Sequence, residues 1–65
     1  MAVVKVMEVL GESRESFQAA VQDAVKDAAQ SQKNITGVEV ANWTAEVKGG
    51  QLVEFKADCR VAYSE

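Results

Sequence analysis

The sequence predicts an α+β fold of order β-α-β-β, in which a three-stranded antiparallel sheet wraps one long helix. Three observations carry that prediction. A β-branched run opens the chain, an apolar stripe of helical period follows it, and two strand-like runs flank the pair Gly49-Gly50. All of this fits one domain, residues 1–65.

The first element is AVVKVMEVL, Ala2 to Leu10. Its β-branched side chains and imperfect alternation favour a strand. Next, Ser13 carries a hydroxyl suited to an N-cap, and Glu15 places negative charge where a helix dipole favours it. Phe17, Val21, Ala24, Val25 and Ala28 then recur at helical spacing, which predicts a helix from about Arg14 to Lys33. Most of that stripe is alanine, so this helix can approach a sheet closely while burying little area. Asn34 is suited to the left-handed conformation that ends many helices, and β-branched Ile35 and Thr36 follow it.

Gly49-Gly50 reads as a two-residue hairpin turn, because glycine tolerates the positive φ that such turns require. Pairing Lys48 with Gln51 then fixes the whole ladder. On one side, Thr44 is expected opposite Phe55, Val40 opposite Cys59 and Val38 opposite Val61, with Asn42, Ala57 and Tyr63 on the same face. On the other, Trp43 is expected beside Lys56, Ala41 beside Asp58, Glu39 beside Arg60 and Gly37 beside Ala62. A one-residue slip would exchange the two faces, so the apolar match supports this register. The helix is expected over the Val38, Val40, Phe55 and Val61 side. Nothing within the chain is left to cover the side holding Trp43, Lys56, Asp58, Arg60 and Glu39.

A domain of this size buries only about 60% of the surface that its unfolded chain exposes. Small domains compensate with disulfides, metals or association. Cys59 is the single cysteine and histidine is absent, so neither an intrachain disulfide nor a Cys/His zinc site is available. Self-association is the expected remedy. The formal net charge of -3 comes without a basic stripe, which argues against nucleic acid. No apolar run approaches the ~20 residues needed to span a bilayer. A cytoplasmic location and no membrane partner are the expectation.

Enzymatic chemistry finds little support. The usual general acid–base residue, histidine, is missing, and Cys59 alternates onto the core side as a small hydrophobe. Gly49-Gly50 lacks the following helix that a phosphate-cradling loop needs. Trp43 has two readings: a packing block stacked on the Lys56 stem, or a flat surface for a flat ligand. Glu54 and Asp58 lie on the uncovered side, where converging carboxylates could hold a hard cation, although nothing in their spacing forms a dense acidic loop.

The run from Val6 to Phe17, VMEVLGESRESF, then AAVQDA, Val38-Glu-Val40, and Phe55 to Tyr63, FKADCRVAY, resembles the dodecin family in order and across nearly the whole chain. Its most specific piece is the Gly-x-Ser-x-x-Ser opening of the helix at Gly11, Ser13 and Ser16. The resemblance implies a hollow homododecamer without enzymatic activity that binds and buffers flavins such as riboflavin, FMN or FAD. It further implies flavins stacked on a tryptophan near the start of the second strand and hydrogen-bonded by a glutamine of the third. Those positions fall on Gly37 and Lys56 here, so Gly37, Lys56, Glu39 and, by relocation, Trp43 are the candidate ligand-binding residues. Other members of the family are calcium dodecins, for which Glu54 and Asp58 are the candidate ligands.

Overall fold

In the computed structural model, which describes residues 3–64, β1 spans Val4–Ser13, α1 Phe17–Ser31, β2 Ile35–Lys48 and β3 Gln51–Ser64. The strands lie in the order β1-β3-β2, with β3 central and antiparallel to both neighbours. The expected β-α-β-β order and three-stranded sheet are therefore present. Ala2, which the sequence places in the first strand, lies outside the described residues.

The helix is shorter than its sequence pattern at both ends. Ser16, rather than Ser13, is the N-cap: its backbone is extended, and its Oγ accepts a hydrogen bond from the Ala19 amide at 2.9 Å. Ser13 still belongs to β1, and its Oγ accepts from the Glu15 amide at 3.0 Å, which turns the chain toward the cap. Glu15 consequently precedes the helix and does not sit in its first turn. At the far end the C-cap is Gln32, also extended, and no residue other than glycine takes a positive φ among those described. Asn34 thus does not end the helix in a left-handed conformation. It ties the start of β2 to the end of β3 instead, since its carbonyl accepts from the Ser64 amide at 3.0 Å and its Nδ2 donates to the Ser64 carbonyl at 3.4 Å.

Contact between α1 and the sheet is made by very small side chains. The sealed residues are Ala20, Ala24 and Ala28 from the helix, and Ala57, Cys59 and Val61 from β3. Met7, Val9, Val21, Ile35 and Val40 pack around them, half-buried. Ala20 completes an i, i+4 row with Ala24 and Ala28, of which the sequence pattern named only the latter two. Gly11 on β1 sets the separation: a Cβ there would overlap the Ala20 carbonyl and lie 3.0 Å from the Ala24 methyl. Close approach follows from small residues, and the core they enclose holds no side chain larger than valine.

The β2–β3 hairpin turns at Gly49 and Gly50, with φ of 59° and 76° as a two-residue turn requires. Lys48 pairs with Gln51 as expected, but Val53 is then an extra residue in β3 and Ala41 an extra residue in β2. Between these two bulges the register differs by one from the ladder drawn from the turn. Thr44 pairs with Lys56 and not Phe55, Trp43 with Ala57 and not Lys56, and Asn42, not Ala41, with Asp58. Beyond Ala41 the expected pairs Val40–Cys59, Glu39–Arg60, Val38–Val61 and Gly37–Ala62 all form. A bulge changes which way the following side chains point. Trp43 therefore lies on the helix side, and Asn42 and Thr44 lie on the uncovered side, each the reverse of its expected place.

Trp43 meets Phe17 edge-on, with ring centroids 5.1 Å apart and planes at 89°, and Phe17 in turn meets Phe55 at 4.9 Å and 69°. This aromatic trio closes the N-terminal end of α1 and replaces the expected stacking of Trp43 on Lys56. Edge-to-face pairs of this kind contribute roughly 0.5–1.5 kcal/mol beyond their area burial.

Candidate functional site

The face of the sheet turned away from α1 is built in rows across the three strands. Pairing and alternation give, from one end, Val6–Ala62–Gly37, then Glu8–Arg60–Glu39, then Leu10–Asp58–Asn42, then Glu12–Lys56–Thr44. The first row is apolar and the next three carry charge. Val6 and Leu10 are 58% and 57% exposed, so the apolar groups on this side have no cover within the chain.

A depression of about 590 Å³ lies over the first row, lined by Val6, Gly37, Val38, Glu39, Arg60 and Ala62. Gly37 leaves room within it. Its φ is not in the left-handed region, and a Cβ built there would meet nothing within 4 Å. Neither backbone nor packing requires glycine at this position. Arg60 and Glu39 form the rim as a cross-strand ion pair at 3.9 Å, with side chains 58% and 72% exposed. A second depression, of about 410 Å³, adjoins it and is lined by Glu8, Leu10, Asn42, Thr44 and Asp58.

Of the four candidate ligand-binding residues, the fold brings Gly37 and Glu39 together at the first depression. Lys56 is further along β3, in the fourth row, where its Nζ lies 4.0 Å from Glu54. Trp43 is on the opposite side of the sheet, 49% exposed against Phe17. The two candidate metal ligands are also separate: Glu54 faces Lys56, whereas Asp58 lines the second depression with Asn42 and Thr44. Among the described residues no three His, Cys, Asp or Glu side chains gather in a way that could hold a metal ion.

Sequence reasoning placed Ala62 beside Gly37 but missed Val6 as part of the apolar floor, because the register of β1 against β3 is not encoded in any turn. The alternation within each strand was the available signal. Cys59 sits on the helix side, fully buried, and its Sγ donates to the Ala57 carbonyl at 3.6 Å. Burial, with a smaller contribution from the Asp58 carboxylate, pushes its pKa up, so the thiol stays protonated. No helix among the described residues is long and apolar enough to cross a membrane.

An arrangement like this can hold a ring. Its floor is apolar, its walls are short, and the space above Gly37 is open. It offers no aromatic side chain for stacking from within one subunit, and no side-chain amide at the position of Lys56.

Known structures share the whole fold. The dodecin from Streptomyces davaonensis superposes with a TM-score of 0.90 at 20% identity, covering 98% of this chain and 94% of its own. A mutant of the T. thermophilus dodecin gives 0.93 at 23% identity, covering 100% and 97%. Dodecin from Streptomyces coelicolor gives 0.90 at 23% identity, covering 98% and 91%. A search among curated proteins returns no significant match. The family model described as Dodecin matches residues 3–65, nearly the entire sequence, and the chain belongs to the dodecin family.

Proposed function

We propose that this chain assembles with its own copies into a dodecin-type homododecameric shell that binds a small aromatic ligand of the flavin class and performs no chemistry on it. The observation that carries assembly is the size of the core. Six sealed hydrophobic side chains among the described residues, none larger than valine, cannot stabilise a domain whose Val4, Val6, Leu10, Trp43, Val47 and Leu52 are all more than 45% exposed. The protomer is also elongated: its radius of gyration is 13.2 Å, against about 10.7 Å for a compact chain of this length. Covering its exposed apolar groups with neighbouring copies supplies the missing burial.

For binding, the depression over Gly37 supports the reading, with Val6, Val38 and Ala62 as the contact surface and Glu39 at the rim. A flavin there would supply the flat ring, and the chain's residues would orient it and exclude water from one side. Because Gly37 contributes no stacking surface, binding in this member is weaker than with an aromatic ring at that position. Trp43 lies on the other side of the sheet, so any contact it makes with a ligand comes from another copy. Calcium binding at Glu54 and Asp58 has no supporting observation, since the two carboxylates face different neighbours.

The test is native mass determination combined with a riboflavin fluorescence titration. A dodecamer that quenches riboflavin emission is the expected result, and Gly37→Trp should tighten binding by roughly tenfold or more, as stacking is worth ~1–3 kcal/mol. A monomer overturns the assembly. Unchanged riboflavin emission in both wild type and Gly37→Trp overturns the ligand.

A further inference from the structure

The two depressions meet at the Glu8–Arg60–Glu39 row, whose Arg60 and Glu39 line one and whose Glu8 lines the other, and the charges along these rows are unbalanced. Glu8 and Glu39 flank Arg60 in one row, so two carboxylates face a single guanidinium, and that guanidinium is already 3.9 Å from Glu39. In the next row stands Asp58, between Leu10 and Asn42. Lys56, the remaining cation of these rows, lies beyond it and is 4.0 Å from Glu54. The second depression is consequently lined by two carboxylates, an amide and a hydroxyl, with no cation at all. Asn42 and Thr44 each both donate and accept hydrogen bonds, which suits hydroxyl groups on a ligand. Both face this way only because of the extra residue at Ala41. Successive rows are about 7 Å apart, so a ring over Gly37 and an arm among Asn42, Thr44 and Asp58 belong to one molecule of modest length.

Building on the ligand-binding reading above, we infer that Glu8, Glu39 and Asp58 select the ligand by charge. The sheet face takes an aromatic ring bearing an uncharged polyhydroxyl or cationic arm and discriminates against the same ring bearing a phosphate. A phosphate would lose its hydration beside carboxylates and gain no unengaged cation in return. The two groups of one like sign repel across a few ångströms, and this repulsion is screened by salt.

Riboflavin and FMN share one ring and differ by the phosphate, so their titration against the assembled protein isolates the effect. Riboflavin should bind about three- to tenfold more tightly at low ionic strength, with the ratio falling toward one at about 1 M salt. The isosteric variant Glu8→Gln, which leaves the Glu39–Arg60 pair intact, should lose much of the preference at low salt while retaining riboflavin. FMN binding as tightly as riboflavin, or a preference indifferent to both salt and variant, overturns the inference. Should neither flavin bind, the flavin reading fails and the charge selection is judged on two dyes, cationic proflavine and anionic anilinonaphthalene sulfonate. Uptake of proflavine that Glu8→Gln reduces upholds it; preference for the sulfonate, or uptake of neither dye, overturns it.

Discussion

Toward the helix, β3 presents Ala57, Cys59 and Val61, all sealed against a row of alanines. Away from it, the same strand presents Lys56, Asp58, Arg60 and Ala62, with open depressions beside them. One strand thus serves two surfaces under opposite constraints. On the helix side Ala57, Cys59 and Val61 are sealed, and the glycine there, Gly11, is held by lack of room. On the other side the glycine, Gly37, is surrounded by space. The contrast separates a glycine that packing requires from one that leaves volume for something outside the chain.

Substitutions at the two glycines should break or sharpen that contrast. Gly11→Val drives a branched side chain into the Ala20 carbonyl and the Ala24 methyl, and should destabilise the fold by about 3 kcal/mol, read as a lowered denaturation midpoint. An undiminished midpoint would mean that the helix can move away from β1 at no cost. A smaller loss is expected at the helix entry. Ser16→Ala removes the acceptor of the Ala19 amide and should cost about 1 kcal/mol, whereas Ser13→Ala should cost less because Ser13 is not the cap. Equal losses at the two serines would undo the cap assignment. Gly37→Ala should have the smallest effect and the opposite sign, raising stability by about 0.4–1 kcal/mol by restricting the unfolded chain. Destabilisation there would reveal a packing constraint supplied by another copy.

Much of this architecture was legible in the sequence, and the misplacements have a common cause. Periodicity located the helix, and Gly49-Gly50 located the hairpin. Counting outward from that turn placed Gly37 by Ala62 and Glu39 by Arg60 correctly. The same counting misplaced Trp43, Asn42 and Thr44, since Ala41 and Val53 carry no signature that distinguishes a bulged residue from a paired one. The cap went to Ser13 rather than Ser16 because both serines precede the apolar stripe and only the conformation of the chain chooses between them. At the candidate site Gly37 and Glu39 were readable from β2 alone. Val6 was not, as its place opposite Ala62 depends on a pairing between the two ends of the chain.

Of the irregularities in this ladder, the extra residues Val53 and Ala41, one on each strand of the hairpin, act like a phase error and its correction. Val53 puts β2 and β3 out of step, and Ala41 puts them back. The out-of-step stretch, Asn42 to Glu46 against Glu54 to Asp58, is therefore insulated from both ends. Its inward and outward sets can be rewritten there without moving the turn or the pairs around Gly37. Natural variation or design that deletes one of the two residues would lose that insulation. Deleting both would make the ladder continuous from Gly37–Ala62 to Lys48–Gln51 with every pair kept, so Trp43 would stay on the helix side and Asn42 and Thr44 on the uncovered side.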